Sequence, residues 1–170
     1  MIHVCSLARL HATVASTGAR HVVSLVARED ALSRPEGVAP EDHLWLQLHD
    51  INEPLPGYVT PESEHVARLL AFVRRWGRDT PLVVHCYAGI SRSTAAAFVA
   101  VCALTRAGNE LAVAQALRRA SPTATPNARI VTLGDELLGR GGRMIAAIDA
   151  IGHGAAATEA TPFRLEIVGH

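Results

Sequence analysis

Apolar positions along this chain gather in four short runs that read as buried strands, 2–7, 21–26, 43–48 and 81–85. The last three are rich in Val or Leu and nearly continuous in apolar character, the pattern of parallel strands covered on both faces. Elsewhere the apolar positions take helical spacing. A weak helix over 10–18 ends at Gly18. A stronger one has Thr60 as its cap, Pro61 at its first position and Glu62 and Glu64 in its first turn, where they complement the dipole. Val66, Leu69, Leu70, Val73 and Trp76 then share a face, with Gly77 just past the end. A third helix starts at Arg92-Ser93 and stops near Ala107-Gly108, and a fourth runs from Asn109 or Glu110 to Ala120, closed by Pro122. A fifth starts near Asn127 and carries Ile130, Leu133, Leu137 and Leu138, and after a break at 139–142 a sixth covers 143–151.

Strands alternating with helices, followed by a run of helices, predict an α/β domain. Its centre is a mostly parallel sheet of four to five strands flanked by helices, with a helical C-terminal half. Residues 1–151 form the expected domain, and 152–170 a tail. The small, polar stretch 152–160 reads as a loose linker, and the alternating 163–168 as an added strand or a docked segment.

At 170 residues the chain is long enough for a real core. All 16 basic residues are arginine and the formal net charge is zero. Neither a basic stripe for nucleic acid nor a polybasic patch for anionic lipid is visible. The longest apolar run, 95–104, is far below the roughly 20 residues of a membrane span. The N-terminus lacks the pattern of a signal peptide. Three cysteines, Cys5, Cys86 and Cys102, are an odd count in a chain too large to need disulfides, so a reducing cytoplasm is expected.

The chemistry concentrates where the run 81–85 turns into an alanine-rich helix. Cys86 opens that turn and Arg92 closes it. Backbone N–H groups of Tyr87, Ala88, Gly89, Ile90, Ser91 and Arg92 can converge there on an anion at a helix start. Gly89 lets the chain turn tightly enough to bring them together. Thiolate, not thiol, is the nucleophile, and such a site favours the anion. Arg92 can hold two phosphate oxygens bidentately, which lysine cannot copy. The Ser93 hydroxyl can hydrogen-bond the sulfur as it is expelled. Phosphate esters fit this arrangement.

The segment His85-Cys86-Tyr87-Ala88-Gly89-Ile90-Ser91-Arg92-Ser93 resembles the His-Cys-x5-Arg-Ser/Thr signature of the protein tyrosine phosphatase superfamily, and the compact size is most similar to its dual-specificity branch. A weaker likeness extends over roughly 19–138. The resemblance implies the phosphotyrosine protein phosphatase-like fold, a cysteinyl-phosphate intermediate and no metal or other cofactor. The implied substrate is a phosphorylated protein or a small phosphate ester, with neither nucleic acid nor membrane as partner. It implies for His85 a supporting role beside the cysteine, a plain strand-end histidine being the alternative. Family members take a general acid from a mobile loop a few dozen residues before the cysteine. Asp50, 36 residues before Cys86, directly follows the run 43–48, at the sheet edge where Cys86 also sits, and opens an irregular flap. Glu53 and Asp42 are the reserve candidates. Some dual-specificity relatives support the phosphate loop with a Pro-Asn segment like Pro126-Asn127, while Asn127 also reads as a plain helix cap. Cys5 is either a buried strand cysteine or, as in some relatives, a redox partner of Cys86. Tyr58, Trp45 and Trp76 are candidates for a substrate wall, with Trp76 by default in the core.

Three rival readings have distinct signatures. His49-Asp50 is similar to the paired ligands of HD-type metal hydrolases, although those proteins are helical and here the pair ends a strand. Rhodanese-type sulfurtransferases also hold a loop cysteine at a helix start, but Arg92, Ser93 and Asp50 favour phosphate. A catalytically silent phosphopeptide reader usually lacks the cysteine or the arginine, and both are present. Phosphoinositide hydrolysis is a narrower variant, weakened by the absence of lysine near the loop.

Overall fold

The computed structural model describes residues 1–28 and 32–167. Five strands, β1 (Ile2–Ser6), β2 (His21–Leu25), β3 (His43–Leu46), β4 (Leu82–Cys86) and β5 (Phe163–Leu165), form one sheet in the order β3-β2-β4-β1-β5. The first four are parallel, and β5 runs antiparallel to β1 with Ile2 opposite Leu165. Six α-helices accompany them: α1 (Leu10–Thr17), α2 (Ser63–Arg75), α3 (Arg92–Leu104), α4 (Glu110–Ala120), α5 (Ala128–Leu137) and α6 (Arg143–Ile151). The expected α/β architecture with a helical C-terminal half is the one observed.

Side chains alternate across the sheet. On one face Cys5, Val22 and Val83 pack with Leu10 and Val14 of α1. On the other, Val4, Val23, Val84 and Cys86 join the large core under α2, α3 and α5. Cys5 and Cys86 therefore point to opposite faces, and the redox pairing is not set up by this fold. Burial pushes the Cys5 thiol up to about 11 and the Cys102 thiol to about 12, so both remain protonated at neutral pH.

Helix α3 runs through the middle of the large core and is buried on every side from Arg92 to Cys102. Its alanines let neighbours approach closely. Gly134 of α5 lies so near that an added Cβ would stand 2.6 Å from a methyl of Val99. Beyond α3, the buried Arg140 pairs with Glu110 at 2.9 Å and donates to the carbonyls of Cys102 and Thr105. Asp135 accepts from the amides of Gly142 and Met144, tying α5 to the start of α6.

Several expected boundaries shift. Helix α2 begins after Glu62, not Thr60, because Glu62 and His65 form a reciprocal capping box. It ends at Trp76, and the left-handed residue beyond it is Arg78 (φ 63°), not Gly77. Helix α3 stops at Leu104. Leu137, expected on the apolar face of α5, is 43% exposed.

The tail departs most from expectation. Residues 152–159 are largely exposed but not loose. The Ala155 amide donates to Pro122, the Gly154 amide to the Thr125 hydroxyl and the Ala160 amide to Ala88. Glu159 accepts from the buried Ser6 hydroxyl at 2.5 Å. The expected last strand is reduced to Phe163–Leu165, and Val168 lies outside the described residues.

Candidate active site

Strand β4 is the central strand, fully buried, and it delivers Cys86 to the C-terminal edge of the sheet. The chain then loops from Cys86 to Arg92 and enters α3. Four loop carbonyls are held outward by amides from three distant segments. Leu7 donates to Tyr87 (3.1 Å), Ala160 to Ala88 (2.9 Å), Thr125 to Ile90 (3.0 Å) and Asn127 to Ser91 (3.2 Å). In a planar trans peptide the C=O of one residue opposes the N–H of the next. Pinning these carbonyls outward therefore turns the amides of Ala88, Gly89, Ser91 and Arg92 toward the inside of the loop. Gly89 makes the bend possible: its φ is 74°, and an added Cβ would lie 2.9 Å from the carbonyl carbon of Cys5. Ser91, the N-cap of α3, does not cap it with its side chain. Its hydroxyl donates instead to Asp50, leaving the first-turn amides of α3 free to hold an anion.

Cys86 sits at the loop floor with its sulfur 3.1 Å from the Ser93 hydroxyl. Arg92 is 7% exposed. One terminal nitrogen donates to the Leu48 carbonyl at 3.1 Å, and the guanidinium lies 5.2 Å from the centroid of the Tyr87 ring. Its buried Nε–H has no hydrogen-bond partner among the described residues. A buried unpaired donor on a permanent cation is costly, and an oxyanion would satisfy it.

Asp50 stands across the loop, where the chain leaves β3. Its Oδ1 accepts from the Ser91 hydroxyl at 2.8 Å and from the Asn127 amide group at 2.9 Å. Both donors converge on the same oxygen. The flap that follows is closed at its neck by two His49–Val59 hydrogen bonds, each 2.8 Å. Asn127 does two jobs at once: Oδ1 caps α5 through Ile130 N–H, while its backbone and Nδ2 reach the loop and Asp50.

His85 faces away from the sulfur. Its Nε2 lies 2.6 Å from the Ser24 hydroxyl, which is also 2.8 Å from His43 Nε2, and its Nδ1 is 3.4 Å from the Cys86 carbonyl. Burial drives this imidazole down to about 4, so it is neutral at pH 7. A neutral ring giving Nδ1–H to the carbonyl must accept at Nε2, so Ser24 donates to His85 and His43 donates to Ser24.

The other expectations fare unevenly. Asp42 is at the opposite end of β3, 3.3 Å from His21, and Glu53 is exposed on the flap. Trp76 is buried, and Trp45 donates to the Val26 carbonyl on the edge of the sheet, so neither lines the loop. Tyr58 is 54% exposed and stacks edge-on against His49. Sequence reasoning missed Ser24, His43 and Arg129. Ser24 left a trace as a polar residue inside the apolar run 21–26. Arg129 left one as a cation in the first turn of a helix, against the dipole.

Residues 47–122, which hold the flap, β4, the loop and α3, match the model of the protein-tyrosine phosphatase family. Over that stretch the chain is similar to the family. Among solved structures it is similar to DUSP15 (TM-score 0.66, 17% identity, 87% of this chain and 90% of that one). It is likewise similar to human DUSP28 (0.59, 18%, 88% and 94%) and to a mouse putative dual specificity phosphatase complexed with zinc tungstate (0.58, 20%, 81% and 80%). At these identities the likeness establishes the fold. No curated protein matches the chain. Among the described residues no helix is long and apolar enough to cross a membrane, and no group of three or more His, Cys, Asp or Glu is placed to hold a metal.

Proposed function

We propose that this chain is a phosphatase that hydrolyses phosphate monoesters, phosphotyrosine and also phosphoserine or phosphothreonine, through a cysteinyl-phosphate intermediate. The observation that carries the reading is the loop whose carbonyls are tied outward, with the unpaired Nε–H of Arg92 buried beside it. In the first step the Cys86 thiolate attacks phosphorus, the P–O bond breaks, and Asp50 gives its proton to the departing oxygen. The loop amides and Arg92 stabilise the charge on the transferring group. In the second step water attacks phosphorus, its proton passes to the Asp50 carboxylate, and the P–S bond breaks with the Ser93 hydroxyl stabilising the sulfur anion. His85 and Asn127 support the loop.

Turnover of p-nitrophenyl phosphate, measured with chelator present and inhibited competitively by tungstate, tests the reading. Cys86→Ser abolishes turnover while inorganic phosphate still binds. Asp50→Ala lowers the rate on alkyl esters by about 10²–10⁴-fold and much less on aryl esters with good leaving groups. Equal losses on both would remove Asp50 from the acid's role. Thiosulfate sulfur transfer without phosphatase activity would overturn the whole assignment.

A further inference from the structure

The segment bearing Asp50 is exposed from residue 52 to residue 59, yet its two ends converge on a single side chain. Arg129, in the first turn of α5, donates from Nε to the Pro61 carbonyl at 2.5 Å and from Nη1 to the Asn52 carbonyl at 3.3 Å. Its Nη2 meets Glu62 Oε1 at 3.4 Å, and its backbone N–H donates to Asn52 Oδ1 at 3.1 Å. Glu62 is also the cap of α2. One guanidinium thus bridges the start of the flap, its end and the helix beyond it. A cation in the first turn of a helix opposes the dipole, so the position is unfavourable unless other acceptors compensate. Here every compensating acceptor belongs to the flap or to its exit into α2.

We propose that Arg129 is a positioning residue for proton transfer, holding the flap so that Asp50 stays over the loop. The inference rests on the reading of Asp50 as the acid. It separates labour between neighbours: Asn127 fixes the carboxyl directly, while Arg129 fixes the backbone on which the carboxyl rides. Among the described residues Arg129 makes no hydrogen bond to Cys86, Arg92 or the loop amides, so its loss reaches them only through the flap. The deficit therefore falls on the protonation of the leaving group.

The test compares phenyl phosphate, a poor leaving group, with p-nitrophenyl phosphate in wild type, Arg129→Met, Arg129→Lys, Asp50→Asn and the Asp50→Asn/Arg129→Met double variant. Arg129→Met is expected to lose on the order of tenfold in kcat on phenyl phosphate, a fraction of the full acid contribution, and about twofold or less on p-nitrophenyl phosphate. Inhibition by inorganic phosphate stays at the wild-type level, Arg129→Lys recovers part of the loss, and the double variant is no slower than Asp50→Asn. Equal loss on both substrates, no loss on either, or additive loss in the double variant overturns the role of Arg129. If Asp50→Asn itself shows no dependence on leaving group, the acid assignment fails first, a result distinct from the other three. Should Arg129→Met not fold, Arg129→Lys carries the test, and the same dependence on leaving group is required of it.

Discussion

Cys86, Gly89, Arg92 and Ser93 are legible in the sequence because their chemistry is local: one turn between a strand and a helix sets their spacing. The Ser24–His43 pair is not, since neither residue lies within 40 positions of His85. Only the sheet register, with Ser24 opposite His85, brings them together. That chain makes His85 a source of acid sensitivity. Burial holds it at about 4 in the folded protein, whereas in the unfolded chain it takes up a proton near 6.5. Between those values the unfolded state binds more protons, so stability falls as pH drops from 6.5 to 4 and levels off below. The loss from this group is at most roughly 3 kcal/mol. Urea midpoints at pH 7 and 4.5 should therefore converge in His85→Gln relative to wild type. An unchanged difference would place the acid sensitivity on other groups.

Helices and strands follow the apolar period well, and their ends less so. The start of α2 shows why: Thr60-Pro61 and Glu62-His65 are both plausible initiations, and the second wins because its two side chains satisfy each other's orphan amides. Leu137 shows the complementary limit. Its place on the helix is right for the stripe, but it is exposed while Ile130, Val131 and Gly134 are buried. The contact between α5 and α3 depends on Gly134. Alanine there would gain about 1 kcal/mol of helix propensity. The new Cβ would also meet both methyls of Val99, at 2.6 and 3.1 Å, and a β-branched side chain has little rotamer freedom to yield. Overpacking of this kind costs about 1–3 kcal/mol, so the clash should prevail. Gly134→Ala is expected to lower the thermal midpoint, and Gly134→Ala/Val99→Ala to recover part of it. A raised midpoint in the single variant would show that α5 slides away freely.

At the scale of the whole molecule, the parallel sheet was expected from the alternation of strands and helices, but the role of the tail was not. Small residues such as 154–157 carry no periodic signal, and their hydrogen bonds are made by the backbone, which sequence does not distinguish. Yet Ala160 holds a carbonyl of the loop, and Leu165 is buried at the edge of the core. A chain ending at Thr158 should lose both. We expect a lower thermal midpoint and inhibition by inorganic phosphate weakened by more than the loss of folded protein accounts for. Ala160→Pro, which removes only the N–H donor, should weaken phosphate inhibition with a smaller effect on stability. Wild-type affinity in both variants would mean that the other three amides suffice to shape the loop.

The Ala160–Ala88 hydrogen bond also bears on how the protein is made. A ribosome releases Cys86 and its neighbours long before residues 160–165, so the nascent chain exposes a half-built loop whose Ala88 carbonyl has no mate. Translation must reach the fifth strand before the first strand gains its outer neighbour. The loop should then gain its full hold on an anion only after residue 160 has been made.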